Sequence, residues 1–143
     1  SKEANADRLV YSRLEYILRE SEYDNVNFVR NEAGNYTNFT MRGHKGHLRH
    51  GQNSLSHIGT SSGKNRWRGW KIDNEFDIAY WGHYHSEEVD DVYGSPVLRA
   101  GSLNPEADYE EGLSEKSRTV VRMHGVSDER PLTWSYPLDL KDY

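Results

Sequence analysis

Seven histidines and no cysteine bound the chemistry open to this 143-residue chain. Imidazole can ligate a metal or move a proton near neutral pH, whereas thiolate sites and disulfides are excluded. Two of the histidines stand in Gly82-His83-Tyr84-His85, directly after Phe76 to Trp81, the most hydrophobic run. Imidazoles at i and i+2 beyond a strand end converge if the backbone turns there, and Gly82 gives it that freedom. Upstream, Leu48-Arg49-His50-Gly51 puts another histidine before a glycine at the end of a predicted strand. The plainer alternative makes all three ordinary polar strand-end residues. Glu87, Glu88 and Asp77 are the carboxylates near enough in sequence to orient the imidazoles.

The charge is segregated in a way that bears on the ligand. The chain carries 18 basic and 23 acidic residues, a net charge of -5, yet no acidic residue lies between Arg42 and Lys71. That window holds Arg42, Lys45, Arg49, Lys64, Arg66, Arg68 and Lys71, with His44, His47, His50 and His57 among them. Like charges gathered together mark either a solvated loop or a surface that meets an anion, here a phosphate ester or nucleic acid. Arg49, Lys64, Arg66 and Arg68 are the candidate substrate-binding cations. Trp67 and Trp70, interleaved with them, either stack on bases or sugars or belong to the core. His44, His47 and His57 read as structural or solvent-facing.

Hydrophobic periodicity supplies the elements that must position these groups. Leu9, Val10, Leu14, Ile17 and Leu18 repeat at helical spacing, so the first element is an amphipathic helix. Val26–Val29, Tyr36–Met41 and His47–His50 read as short strands. Gly51–Gly69, rich in Ser, Gly and Asn, reads as a loop with at most a turn or two of helix near the tryptophans. Phe76–Trp81 is expected as a central strand buried on both faces and ended by Gly82. Val89–Tyr93 and Pro96–Ala100 flank Gly94-Ser95 as a hairpin. Tyr109–Glu115 reads as a short helix, and Thr119–Met123 and Leu132–Tyr136 as strands. Strands interspersed with helices predict a layered α/β or α+β fold with a mixed sheet.

The length suits one domain. A mean hydropathy of -0.98 and 34% hydrophobic residues leave little for a core, but 12% aromatics argue against disorder. No apolar run spans a bilayer and the N-terminus is polar, so no membrane partner and a cytoplasmic location are expected. The sequons Asn35-Tyr36-Thr37 and Asn38-Phe39-Thr40 then carry no glycan.

Leu48-Arg49-His50-Gly51, Gly82-His83-Tyr84-His85 and Ala100-Gly101-Ser102-Leu103, in that order, resemble the C-terminal motifs of the calcineurin-like metallophosphoesterases. The phage and archaeal forms related to DNA-repair exonucleases are especially similar, which points to a viral source. The resemblance implies the second half of a two-sheet sandwich with helices outside. It implies His50 and His83 as ligands of one metal and His85 of the other, Mn²⁺ or Zn²⁺, with Gly101-Ser102 structural. The family's Asp-x-His, Gly-Asp-x-x-Asp and Gly-Asn-His motifs do not occur; Gly34-Asn35-Tyr36 has two letters of the last, out of order. The chain thus corresponds, as a single domain over 1–143, to the C-terminal portion of that fold.

Two divalent ions ~3.5–4 Å apart need anionic ligands against their mutual repulsion, above all a bridging carboxylate. Three neutral imidazoles can instead hold one Zn²⁺ with an open fourth position. The expected function is part of a metal-dependent phosphodiesterase, possibly a DNA nuclease, inactive without the N-terminal half. Completion would come from a complementing half or a second copy. The rival expectations are a non-catalytic binding or structural module and a stand-alone mononuclear zinc hydrolase.

Overall fold

The computed structural model describes residues 6–21, 25–29, 36–50, 58–82, 86–101 and 119–140. They fall into two compact units, Ser1–Glu32 and Ala33–Tyr143. In the first, α1 (Ala6–Glu20) is the helix expected from the apolar spacing, with Arg19 paired to Glu15 one turn back at 2.7 Å. The Tyr11 and Phe28 rings lie 6.3 Å apart. Val26–Val29 joins no sheet among the described residues, where a strand is expected.

The second unit is built on a five-stranded mixed sheet ordered β1-β2-β3-β5-β4: β1 (Tyr36–Met41), β2 (His44–Arg49), β3 (Ile78–Trp81), β4 (Glu88–Val92) and β5 (Ser95–Arg99). β2, β3 and β5 run parallel, and β1 and β4 flank them antiparallel. Both hairpins close through two residues with positive φ, Arg42 (49°) with Gly43 (83°) and Tyr93 (50°) with Gly94 (78°). Those are type I′ turns, whose twist matches that of paired strands. The second turn lies one residue earlier than the expected Gly94-Ser95, and Ser95 opens β5.

The largest departure from the expected elements is α2 (Ser61–Asn74), fourteen residues where mostly loop is predicted. Thr60 caps it, accepting the Gly63 N–H at 3.0 Å, and Glu75 ends it in the left-handed region. Serine, glycine and asparagine disfavour this helix locally; burial of Trp67 on the sheet overrides them. Trp67 is 0% exposed and meets Trp81 at 5.7 Å and Phe76 at 6.3 Å between ring centres. Ile58, Ala79, Val92 and Val97 complete this core, with Trp70 packed against it.

The opposite face of the sheet carries β6 (Val120–Gly125) paired antiparallel with β7 (Trp134–Asp139). Tyr80 Oη and His124 Nε2 lie 2.9 Å apart, the Arg122 guanidinium donates to Glu87 at 2.5 Å, and the His44 ring donates to the Ser127 carbonyl at 2.8 Å. The unit is therefore layered: helix, mixed sheet, two-stranded ribbon. That is the α/β layering with a mixed sheet that the strand and helix spacing predicts.

Candidate functional site

Parallel strands deliver their carboxyl ends to one edge, where the chain leaves the ladder and ligands collect in open α/β sheets. Here Arg49 of β2, Trp81 of β3 and Arg99 of β5 stand at one level, since Arg49 pairs with Trp81 and Trp81 with Arg99. His50, Gly82 and Ala100 are therefore the first residues past the same edge. A Cβ added to Gly82 would lie 3.9 Å from His50 Nδ1, so the His50 ring stands beside the point where Gly82-His83-Tyr84-His85 departs. The Ala100 N–H donates to the Trp81 carbonyl at 2.8 Å and prolongs the ladder by one residue.

Residues 83–85 lie outside the described residues, as do Asn35, Gly51, His57 and Ser102. The expected convergence of His50 with His83 and His85 therefore falls outside the described residues. Among the described residues no three His, Asp or Glu side chains gather in a way that could hold a metal. The donor described at this edge is the His50 imidazole, a nitrogen ligand of the kind that suits Zn²⁺. Among the described residues, none of Asp77, Glu87 and Glu88 supplies the anionic ligand that two adjacent cations need.

The carboxylates expected behind the imidazoles are engaged elsewhere. Glu87 is held by Arg122. Glu88 pairs with the buried Arg99 at 2.7 Å, and Arg99 also donates to the Ser86 carbonyl at 2.7 Å. The two arginines thereby grip Ser86, Glu87 and Glu88, the stretch that follows His85. Asp77 stands before β3, at the other end of that strand, where it accepts the Lys45 N–H at 2.7 Å.

His47 and Arg49 point to the helix side of β2 and act together. His47 Nδ1 donates to Asn38 Oδ1 at 2.7 Å, and Nε2 accepts from Arg49 Nε at 3.3 Å. Burial first, and the neighbouring Arg49 charge second, lower the His47 pKa to about 4, so the ring is neutral. The Arg49 guanidinium lies 3.7 Å from the Trp70 ring centre and 5.0 Å from that of Tyr36. This cation is caged between aromatic faces one residue before His50.

The remaining cations divide around α2. Lys64 and Arg68, one turn apart, line a cavity of about 310 Å³ with Asp91, Val92 and Tyr93. Arg66, two residues from each, projects elsewhere and is exposed. Trp67 is core, and the Trp70 ring carries Arg49, so neither stands free as a stacking platform. The Tyr80–His124 pair and the Arg99 and Arg122 contacts had no signal in the sequence. They join residues up to 44 positions apart with no shared motif.

The class that this architecture defines is a metallophosphoesterase-like fold. Among the solved proteins it resembles in fold are forms of Vps29. One is Vps29 of Entamoeba histolytica complexed with Zn²⁺, at 16% identity over 89% of this chain and 75% of that one, with a TM-score of 0.55. Another is Vacuolar Protein Sorting 29 of Cryptosporidium parvum, at 14% identity over 90% and 76%, with a TM-score of 0.50. Likeness at this identity is one of fold. No family model matches the sequence, and no curated protein matches it.

Proposed function

We propose that this chain is part of a metal-dependent phosphodiesterase, with His50, His83 and His85 holding a divalent cation, Zn²⁺ or Mn²⁺, at the carboxyl edge of β2 and β3. The observation that carries this reading is the His50 ring beside Gly82, which puts one imidazole at the root of the His-x-His segment. A solved protein of the same fold is complexed with Zn²⁺, which supports a metal on this architecture. When bound, the cation supplies positive charge to a phosphoryl oxygen.

The chain's own residues do the rest. Arg49, fixed by His47 and the aromatic cage, sets the backbone from which His50 departs. Arg99 and Arg122 hold the exit of the His83–His85 segment. The basic window, Arg66 included, draws in the phosphate ester or nucleic acid. A second cation requires a bridging carboxylate from a complementing N-terminal half, so the chain by itself hydrolyses phosphodiesters little or not at all. Isothermal titration with Zn²⁺ or Mn²⁺ tests the ligand set. Heat of binding is expected for the wild type and none for His83→Ala/His85→Ala; equal heats in both would overturn the assignment.

A second reading, a non-catalytic binding module, is favoured by one observation. Met123, Trp134 and Tyr136, aligned on one face of the β6–β7 ribbon, are each at least half exposed. It predicts self-association or a partner and no metal. A clean monomer in sedimentation at high concentration, together with metal binding, counts against it.

A further inference from the structure

The cavity between α2 and the β4–β5 turn is not accounted for by a metal centre at His50. Its strand wall is β4, three strands from β2 in the sheet order, or roughly 14 Å at the usual strand spacing. One phosphate group cannot touch both places.

Two of the five residues lining it, Lys64 and Arg68, are cations on one helix face. Among the described residues the Lys64 ammonium makes no hydrogen bond or ion pair; the Lys64 backbone N–H alone is used, within the helix. Arg68 makes no ion pair either. Its guanidinium lies 5.2 Å from the centre of the Tyr93 ring, a cation resting on an aromatic face. Asp91 shares the cavity and offsets one of the two positive charges, which leaves the lining net positive. One carboxylate oxygen accepts the Gly94 N–H at 2.9 Å and so braces the turn that presents Tyr93. Tyr93 itself is held with φ of 50°, a backbone state uncommon for an aromatic residue.

Two cations against one carboxylate, on a helix whose first turn has no acidic residue, give the cavity a net positive charge that favours an anion. The guanidinium on Tyr93 adds a flat, π-faced platform, and the free oxygen of Asp91 adds an acceptor. Phosphate, planar ring and amino group belong together in a nucleotide, and about 310 Å³ is at the lower end of ligand pockets, suited to one nucleotide unit. We propose that Lys64, Arg68 and Tyr93 form a binding subsite for one nucleotide of a single-stranded nucleic acid, with Lys64 and Arg68 on the phosphates and the base stacked against the Arg68–Tyr93 pair.

Fluorescence anisotropy of a labelled 12-nucleotide single-stranded DNA with the full chain, in EDTA, tests this without any contribution from a metal. The wild type is expected to bind, with affinity falling as salt rises. Lys64→Glu and Lys64→Ala/Arg68→Ala are expected to weaken binding at least tenfold. The double variant should flatten the plot of log affinity against log salt by about 1.4, or about 0.7 per lost phosphate contact. Tyr93→Asn, which suits the positive φ, should weaken binding several-fold and leave that slope unchanged. Lys64 is exposed, so Lys64→Glu stays informative if removing Arg68 disturbs the fold. Absence of binding by the wild type, or equal binding by the variants, overturns the subsite. Equal affinity for a mononucleotide overturns the assignment to a strand. Neither result bears on the histidine ligands, which the metal titration tests separately.

Discussion

The His47 imidazole has both nitrogens engaged, Nδ1 on Asn38 and Nε2 on Arg49, and it stacks on Phe76 with ring centres 5.3 Å apart. Only the neutral ring can accept from Arg49, so a proton must break that contact and place two cations together. The folded pKa of about 4 lies below the unfolded 6.5, so the unfolded chain takes up the proton first on acidification. The stability from this group is complete above pH 6.5 and is lost as the pH falls from there toward 4. The gap corresponds to about 3 kcal/mol. Urea midpoints measured between pH 7 and 4 are expected to fall steeply over that window, and His47→Leu should remove this component of the slope. From the sequence His47 reads as structural or solvent-facing, and its full burial makes it structural. Its partner Asn38 was not legible, because a cross-strand hydrogen bond depends on register, and register follows from the turn.

At the scale of elements, the turns and one close approach decide that register. Arg42 occupies a left-handed position that Asn prefers, and its ion pair with Asp128 is largely solvent-exposed. An exposed pair contributes little, so the backbone effect wins. Arg42→Asn is expected to stabilise the fold by about 0.5 kcal/mol in urea unfolding. A loss of stability would mean the Asp128 contact outweighs the turn. One strand over, a Cβ at Gly46 would run into the Phe39 ring of the paired strand. Gly46→Ala is therefore expected to cost about 1–3 kcal/mol, and Phe39→Leu in the same background to recover part of it. The helix α2 shows the limit of local reading. Its composition speaks for a loop, yet a buried indole and a capped first turn hold it, and those depend on a sheet assembled from distant segments.

For the molecule as a whole, the core and all four tryptophans (Trp67, Trp70, Trp81 and Trp134) belong to the unit Ala33–Tyr143. A fragment of residues 33–143 is expected to unfold cooperatively and keep the near-ultraviolet circular dichroism of its indoles. A featureless spectrum would show that the first unit is needed to fold the second. No helix among the described residues is long and apolar enough to cross a membrane. The proposed inactivity of the lone chain is also a property at this scale, because it arises from a carboxylate that none of the histidine motifs provides.

What the sequence determined by itself was the set of strand-end motifs, the central strand from its unbroken apolar run, the first helix from its spacing and the acid-free window. Each is encoded within a few residues, where side-chain period and turn chemistry act directly. The tertiary structure alone decided which edge the motifs share and which cations are consumed. Arg49 is caged by rings from β1 and α2, Glu87 and Glu88 are bound to arginines of β6 and β5, and Lys64 and Arg68 face a turn more than twenty residues away. These pairings link residues far apart along the chain. They form only when burying the apolar face of the sheet brings those segments together.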